Sequence, residues 1–440
     1  MRIARSLASW MFAATMIVLL GWLSVSPTRV EAQQGDNAVC NSSSPPTGIK
    51  CSPAVIDASV ITGSPSNDLC GKIFTIMNAT AYTGAVIDAR GVTALSCAIG
   101  VSPWTNGTVV VSKPSRILLP AGTISITVPW VLPKNTRITG EGRANTTISP
   151  SYSTGSIITM GDATCIFNNS CFNISIEDLT LNGNNSAVDG IDNNAAQELS
   201  YVNNVSLTQI EGTGLSIMSG TLSPANSGPY SNIYFTAGSS AGSSTACARI
   251  SQVNTRGIHG ITCSAANGTT PLAAIYLDGN SNTIEDFHVE GFQDGILVGD
   301  SEPTESNVLV NINGANGAGP VNNVIHISGN NPSSDLAILG VRSSGAYYTI
   351  QDDLTTTTLA DAAVAIYTLG EPVGSITGAY SRFTTSPSAQ TWGAGNGVPS
   401  GPCAIGSLYS NKAASNSNNT LYICIPIGGT GTVWTALTVP

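Results

Sequence analysis

The sequence predicts an all-β solenoid, a parallel β-helix in which short strands wind into stacked turns. The first observation is the stretch 281–299, where Phe287 and Val289 alternate with His288 and Glu290 just after a break in the alternation. Period-2 alternation places the apolar pair on one face and the polar pair on the other. A second short apolar strand follows after a glycine-bracketed polar corner. This favours a coil that turns every few residues over a sheet of long hairpins.

Recurrence of the pattern is the second observation. The segment at 322–329, NNVIHISG, repeats the pattern at an offset of 38 residues, and the same offset relates Gly257 to Gly295. If this offset is one turn, His326 lies in the same column of the coil as His288. Looser versions of the pattern occupy 173–183, 203–212 and 231–238.

Composition is the third observation. Charged residues make up 10% of the chain and hydrophobic residues 42%, whereas a disordered chain has low hydrophobicity and high charge. Corners made by Gly and Asn fit a β-rich extracellular protein. The net charge of −10, without a basic stripe, predicts that nucleic acid is not a partner. The acidic surface would also repel polyanions such as pectin, unless calcium or local Arg and Lys screened it.

Residues 1–32 are predicted to be a cleaved export signal. Arg2 and Arg5 precede an apolar stretch from Leu7 to Val25, and residues 30–32 (Val-Glu-Ala) give the small-x-small cleavage pattern. The alternative is a permanent anchor, since the stretch approaches the ~20 residues that span a bilayer. The membrane is a partner only under that alternative. Both place the body of the protein outside the cytoplasm, secreted or at the cell surface.

The ten cysteines predict disulfides, because the count is even and the chain is exported. Local pairing favours Cys165–Cys171, Cys247–Cys263 and Cys403–Cys424. The first four, which we expect to pair among themselves, are Cys40, Cys51, Cys70 and Cys97. A metal site built on cysteine is disfavoured, because the chain has no Cys-x-x-Cys.

The domain order follows from where periodicity starts and stops. Residues 33–83 predict an irregular, disulfide-tied N-terminal cap that hides the first turn from water. The turns are expected over 84–372. A Ser-, Thr-, Gly- and Pro-rich stretch at 373–402 indicates a linker, and 403–440 indicates a small C-terminal β module.

Three segments near the start of the turns carry a resemblance to a known family. They are ILLPAGT at 117–123, VLP at 131–133 and TGEG at 139–142. An apolar strand, a Pro-x-Gly corner, another strand and a Gly-Glu-Gly turn in this order resemble the pectate-lyase-like superfamily of right-handed parallel β-helices. The resemblance implies that fold over roughly residues 84 to 370. The upstream Gly-Asp-Gly and Asp-Asp-Thr of many relatives is replaced by residues 88–91 (Asp-Ala-Arg-Gly), so we expect a differently built cap.

The candidate catalytic residues are His288, Glu290 and His326, with Glu211 on a neighbouring turn. An outward groove lined by His and Glu could perform acid–base chemistry on a glycosidic bond, with His288 or Glu290 transferring the proton. The alternative is that these are solvated side chains on a stacked sheet.

Motifs of polygalacturonase-like glycosidases, which share this fold, do not transfer residue by residue. Their Gly-His-Gly is broken at His259, which follows Ile258, and the chain has no Asn-Thr-Asp or Arg-Ile-Lys. The pair Asp352-Asp353 comes late in the repeats. Calcium-dependent lyases of this fold also need an arginine, and no spacing selects among Arg249, Arg256 and Arg342.

The segment DGNSNTIE is compatible with calcium binding, and the sequence indicates no other cofactor. Asp278, Asn280, Asn282 and Glu285 loosely resemble a calcium loop, although Thr283 replaces the glycine of the sharp turn. Asn-rich corners that stack as hydrogen-bonded ladders explain the same residues.

Two functions follow from these observations. One is a lyase or glycoside hydrolase that acts on an extracellular polysaccharide. The other is a non-catalytic adhesin or structural protein that binds glycans. For the C-terminal module, capping of the solenoid is favoured over glycan binding through Tyr422 and Trp434 and over a role in assembly.

Overall fold

The computed structural model describes most of residues 55–353 and several shorter segments beyond. The gaps are 63–66, 81, 83, 194, 219–225, 252–254, 256, 266–270, 316–321, 329, 331–332, 335 and 345–347. The further segments are 364–367, 376–377, 392–395, 397–399, 408–411, 414, 420–427 and 431–437. The predicted export signal, Cys40, Cys51 and Cys403 lie outside the described residues. Within these ranges, no helix has the length and apolar character needed to cross a membrane.

Short strands dominate the described chain. The helices are a 3-10 helix Ala58–Val60, α1 Leu69–Asn78 and α2 Ala163–Phe167. The strands of the N-terminal half are β1 Val55–Asp57, β2 Ala85–Asp88, β3 Val101–Ser102, β4 Thr105–Asn106, β5 Val109–Val110, β6 Ser115–Leu118, β7 Gly122–Ile126, β8 Trp130–Leu132, β9 Thr136–Thr139, β10 Thr146–Pro150, β11 Thr154–Met160, β12 Ser175–Asn193, β13 Tyr201–Ile210 and β14 Thr213–Ile217. The following strands are β15 Tyr230–Ala237, β16 Ala246–Ile250, β17 Ile258–Ser264, β18 Ala273–Leu277, β19 Thr283–Glu290, β20 Asp294–Val298, β21 Thr304–Glu305, β22 Val308–Ala315, β23 Asn323–Ile327, β24 Ser333–Ser334, β25 Leu336–Ser344, β26 Tyr348–Asp352, β27 Val364–Tyr367, β28 Ile376–Thr377, β29 Trp392–Gly395, β30 Leu408–Asn411, β31 Leu421–Ile427 and β32 Gly431–Ala436.

Two parallel stacks of strands form the body, which is a parallel β-solenoid of about nine turns. The first sheet continues from β12 through β13, β15, β17, β19, β22, β25 and β27. The second sheet continues from β12 through β14, β16, β18, β20, β23, β26 and β28. Each strand therefore pairs with the same strand of the next turn, and the predicted fold class is confirmed.

The length of a turn corrects one prediction. From β12 onward, vertically paired residues are 21 to 33 positions apart, not 38. His288 pairs with Thr262 and Asn313 in the first sheet, whereas His326 pairs with Leu297 in the second. The prediction that the two histidines share a column is wrong. Leu297, in the second sheet, is nine positions beyond His288, and its partner His326 on the next turn is another 29 positions further. An offset of 38 residues therefore connects a strand of the first sheet with a strand of the second sheet one turn later.

A left-handed residue recurs at the same position in successive strands of the first sheet. Five of these positions have φ between 53° and 56°: Asp178, Asn204, Asn232, Asp286 and Asn311. Short polar side chains tolerate this region because they hydrogen-bond locally. Asn204 Nδ2 donates to Asp178 Oδ1 and Asn311 Nδ2 donates to Asp286 Oδ1, each at 2.6 Å. Stacked polar corners therefore link successive turns, as the Asn-rich pattern predicted.

Inward-facing side chains form one continuous apolar core from Ala58 to Ile350. One column of this core pairs turn by turn and is fully buried: Ile176, Val202, Tyr230, Ile258, Ile284, Leu309 and Ile338. Each turn buries its apolar residues against the turns above and below, which is how a solenoid stabilises strands this short.

The N-terminal cap contains a regular helix, where the sequence indicated irregular structure. Helix α1 begins after Asp68, whose Oδ1 accepts a hydrogen bond from Gly71 N at 2.8 Å. Its buried face contributes Leu69, Ile73 and Met77 to the continuous core. An Asp at the N-cap is a recognised helix-start signal that the sequence contains.

Disulfides tie several of these elements. The predicted pairs Cys165–Cys171 and Cys247–Cys263 are confirmed, and Cys70 bonds Cys97 within the N-terminal group. Cys424 is also in a disulfide. Structural disulfides of this kind indicate an oxidising compartment outside the cytoplasm.

The C-terminal module is a four-stranded sheet, with β29 parallel to β30 and antiparallel pairing among β30, β31 and β32. Strand β29 falls inside the stretch that composition indicated as a linker. Tyr422 is buried and packs edge-on against Tyr409 at 6.3 Å, while Trp434 is partly buried. Tyr422 therefore packs within the module rather than facing a glycan.

Candidate functional site

His288 and Glu290 form a pair on the outer side of the first sheet. His288 Nε2 lies 2.9 Å from Glu290 Oε1, and His288 Nδ1 lies 2.9 Å from Asn313 Nδ2 on the next turn. An amide N–H can only donate, so Nδ1 accepts and Nε2–H donates to the carboxylate. Both ring nitrogens are thus engaged within the protein.

His326 lies on the second sheet between two carboxylates. Its Nδ1 is 2.8 Å from Asp294 Oδ2, and its Nε2 is 2.9 Å from Asp353 Oδ2. The Asp294 bond is the main reason that its pKa rises to about 9, with Asp353 adding to the rise and burial opposing it. His326 is therefore a cation at neutral pH.

Glu211 follows β13 and serves local structure. Its Oε1 accepts a hydrogen bond from Ser240 N at 3.0 Å, and its carbonyl oxygen accepts one from Thr245 Oγ1 at 2.6 Å. Three turns separate it from Glu290, which is about 14 Å at the usual strand spacing. Of the four sequence-predicted residues, only His288 and Glu290 come together.

A denser cluster lies on the outer side of the second sheet, where the sequence proposed only His326 as a catalytic residue. Strands β18 and β20 are buried at all five positions, on both faces. On their outer side, four residues form a second apolar cluster separate from the core: Ala246, Ala273, Tyr276 and Leu297. We call this cluster and the polar residues around it the outer site; the polar members are Asp189, Asp192, Arg249, Asp278, Asp294, Asp300, Asn323, His326 and Asp353.

Arg249 is one of the two cations of the outer site. Its guanidinium carbon lies 4.0 Å from the Tyr276 ring centroid, a cation–π contact, and its Nη2 donates to Ser244 O at 3.3 Å. Strand register places Arg249, Tyr276, Leu297 and His326 in one column over four successive turns. That column spans about 14 Å along the coil.

Asp294 anchors the other end of the outer site. It is 4% exposed and accepts hydrogen bonds from Asn323 Nδ2 at 2.6 Å and from His326. Asn323 is itself buried, and its Oδ1 has no hydrogen-bond partner. A buried unpaired carbonyl oxygen is costly unless a bound donor reaches it.

Burial also perturbs the acids of the outer site. Burial raises the pKa of Asp189, whereas the hydrogen bond from Thr213 N–H and the nearby charge of Arg249 lower it. It raises the pKa of Asp192 as well, and the charge of Asp189 adds to the rise. The pKa of Asp278 is raised mainly by burial, with the Asp300 charge contributing. These residues have environments that sequence spacing alone does not reveal.

Among the described residues, no group of three or more His, Cys, Asp or Glu side chains converges as a metal site would require. The side-chain oxygens of the calcium-like segment accept hydrogen bonds from the protein. Asp278 accepts from Ser301 N, Asn280 from Glu305 N and Asn282 from Thr255 N, while Glu285 pairs with His259 at 2.9 Å. These contacts fit the stacked-corner interpretation of the segment.

Comparison with known proteins gives little further. No protein-family profile matches the sequence, and no curated protein matches it. Among solved structures, it is similar to ORF18 of Geobacillus virus E2, at 12% identity and a TM-score of 0.35, over 72% of this chain and 62% of that one. The match therefore spans less than two thirds of the viral protein.

The chain is also similar to the A-modules of two mannuronan C-5 epimerases of Azotobacter vinelandii. The AlgE4 module matches at 14% identity and a TM-score of 0.26, over 60% of this chain and 91% of that one. The AlgE6 module matches at 14% identity and a TM-score of 0.30, over 60% and 90%. Likenesses of this size carry no argument about function.

Proposed function

We propose that this is an exported protein that binds an extracellular polysaccharide along the outer site. The observation that supports the proposal is the column Arg249, Tyr276, Leu297 and His326, bordered by Asp294 and Asn323. Arg249 and His326 are partly exposed, and the buried side chains of Tyr276 and Leu297 lie between them. Fixed polar groups supported by apolar side chains are typical of ligand sites. Parallel stacking repeats such groups about every 4.8 Å along the coil, which suits a polymer of repeating units.

Binding without catalysis is favoured by the state of the histidines. Both nitrogens of His288 and of His326 are engaged by neighbouring side chains. A general base needs a free lone pair within reach of the proton that it removes. The outer site thus fits the non-catalytic glycan-binding alternative from the sequence better than the lyase alternative.

Glycoside hydrolysis is the second candidate, and one observation favours it. Asp189 and Asp192 are neighbouring carboxyl groups, and both have raised pKa values. A protonated carboxyl beside an ionised one is the arrangement that glycosidases use for acid and base. Under this candidate Asp192 donates the proton, because the charge of Asp189 raises its pKa further.

Affinity electrophoresis of the full-length secreted protein in gels containing different polysaccharides tests binding. We expect retardation by at least one polysaccharide, and its loss in Arg249→Ala. The matched control is Arg116→Ala, an exposed arginine of β6 in the first sheet. Retardation that survives Arg249→Ala, or none with any polymer, would reject the proposal.

Release of reducing ends and absorbance from unsaturated sugars, measured on the same polymers, separate the candidates. Binding without product supports the non-catalytic function. Reducing ends without unsaturated products support hydrolysis if they disappear in Asp192→Asn. Unsaturated products would instead indicate a lyase.

A further inference from the structure

A short basic motif occurs twice near the start of the coil. Residues 113–116 (Lys-Pro-Ser-Arg) and 134–137 (Lys-Asn-Thr-Arg) are 21 positions apart. Strands β6 and β9 pair in parallel at the same offset, with Arg116 opposite Arg137. The two motifs therefore lie one above the other on successive turns. We call their cations the basic grid: Lys113, Arg116, Lys134 and Arg137.

The basic grid is a local exception to the acidic charge of the chain. Residues 84–143 contain six Lys and Arg and two Asp and Glu, whereas residues 144–341 contain two and sixteen. Charge is thus segregated along the coil, and the first turns attract anions that the later turns repel.

Two cations of the basic grid have no counter-charge. Arg137 pairs with Glu177, and Lys113 donates to a backbone carbonyl at 2.9 Å. Arg116 is exposed and Lys134 is partly exposed, and neither forms an ion pair with another described residue. Like charges directly opposite each other on adjacent strands are destabilising. An anion held between Arg116 and Arg137 would relieve that repulsion.

Three apolar side chains are exposed beside the basic grid: Phe167 at 89%, Phe172 at 39% and Leu199 at 62%. Backbone hydrogen bonds connect two of their turns to the corner at Lys134. Asn135 N donates to Phe172 O at 2.9 Å, and Asn173 N donates to Glu198 O at 3.1 Å. Phe172 and Leu199 therefore follow the lysine corner turn by turn.

Helix α2 brings Phe167 to the same edge of the coil. The Thr164 hydroxyl oxygen lies 3.3 Å from that of Ser112, the residue before Lys113. Of the acids nearby, Asp162 and Glu177 are buried and Glu198 is partly exposed. We call the basic grid together with Phe167, Phe172 and Leu199 the docking edge.

The backbone of Leu199 is unusual for a leucine. It is left-handed, with φ of 63°, and the equivalent residues of the two preceding turns are Asn135 and Asn173, with φ of 56° and 58°. Asparagine tolerates this conformation because its side chain hydrogen-bonds locally, whereas leucine gains no such bond. The Leu199 side chain thus serves neither the corner nor the core, and it is available for a contact outside the chain.

We propose that the docking edge binds the surface of a bilayer that contains anionic phospholipids. Arg116 and Lys134 bind lipid phosphates, and the three apolar side chains enter the headgroup region. An anionic glycan would engage the cations but leave the apolar side chains in water, whereas a bilayer accommodates both. The contact belongs to the body of the protein and does not require an uncleaved N-terminal segment.

Flotation of the full-length secreted protein with phosphatidylcholine vesicles, with and without phosphatidylglycerol, tests the proposal. We expect binding to the anionic vesicles, little to the neutral ones, and weaker binding at high salt. Arg116→Ala and Lys134→Ala should each lower the partition coefficient about fivefold. The control is Arg342→Ala, an exposed arginine of β25 in the same sheet several turns away, which should change it less than about twofold.

Leu199→Asn separates membrane contact from folding. Asparagine suits the left-handed position, so the unfolding temperature should not fall, while partition into anionic vesicles should fall several-fold. Phe167→Ser, at a side chain that is 89% exposed, should act in the same way. Absence of vesicle binding, or equal effects of Arg116→Ala and Arg342→Ala, would overturn the proposal. Binding of dextran sulfate that needs Arg116 and Lys134, with vesicle binding unaffected by Leu199→Asn and Phe167→Ser, would assign the cations to an anionic glycan instead.

Discussion

At the residue scale, His326 gives a pH dependence with a defined sign. Its pKa rises from 6.5 to about 9 on folding because Asp294 and Asp353 hold the imidazolium. A raised pKa stabilises the fold below the unfolded value of 6.5, and this stabilisation is lost as the pH rises through about 9. The full shift corresponds to about 3.4 kcal/mol, which solvent screening reduces to roughly 2 kcal/mol.

We therefore expect His326→Gln to lower the free energy of unfolding by about 2 kcal/mol at pH 6 and by much less at pH 10. Urea denaturation at the two pH values measures this difference. The groups facing the ring are Asp294, Asp353 and, through Asp353, Gln351. The same loss at both pH values would show that packing, not charge, explains the effect.

Gly295, at the corner of β20 beneath the outer site, is predicted to tolerate no side chain. A methyl group there would overlap the Val324 carbonyl oxygen and approach Val289 Cγ1 to 2.9 Å. Because both neighbours belong to packed turns, we expect Gly295→Ala to cost about 1–3 kcal/mol of stability. Gly242→Ala is the control, since a methyl group there meets nothing within 4 Å. Thermal denaturation of the two variants checks the difference.

At the element scale, the recurring left-handed position of the first sheet can be tested with two variants of Asn311. Asn311 has φ of 53°, a conformation that β-branched residues adopt only with strain. We expect Asn311→Val to lose about 1–2 kcal/mol more than Asn311→Gly, because both lose the bond to Asp286 but only valine adds strain. Denaturant titration measures the gap, and equal losses would assign the whole effect to the side-chain bond.

The faces of a strand can be predicted from the sequence where one face of the strand is exposed to water. In β19 the alternation of Phe287 and Val289 with His288 and Glu290 gave the correct faces, and the break at Asp286 marks the bend. Strands β18 and β20 are buried on both faces and therefore have no alternation from which their outer side could be predicted. Tyr276 and Asp294 therefore have no distinguishing pattern in the sequence. Only the register between turns places them beside His326.

The length of the repeat could not be predicted from the sequence either. Two matching offsets of 38 appeared to define a turn, but a coil with two sheets repeats similar strands both within and between turns. The sequence does not show which sheet a strand joins, because turns vary from 21 to 33 residues. Fold class is thus readable from local pattern, whereas the columns that build a site depend on insertions elsewhere in each turn.

At the scale of the whole molecule, a continuous core must be closed at its ends. Helix α1 places Ile73, fully buried, in the same core as Ile87 of β2. Cys70 of the helix bonds Cys97, and Asp68 accepts from Ala98 N at 3.0 Å. These ties hold the helix where the first turns would otherwise face water, which is the role of a terminal cap in a solenoid.

We expect Ile73→Ala to cost about 2–5 kcal/mol of local stability, because it opens a cavity under the cap. Since neighbouring turns are the units of a solenoid, the loss should be largest at the N-terminal end. Hydrogen exchange should then show reduced protection in β2 and β6, with β19 and β22 unchanged. Asn78→Ala, at the exposed end of the same helix, should leave the pattern as in the wild type. A uniform loss along the coil would mean that the turns unfold as one cooperative unit and that α1 contributes to the stability of all of them.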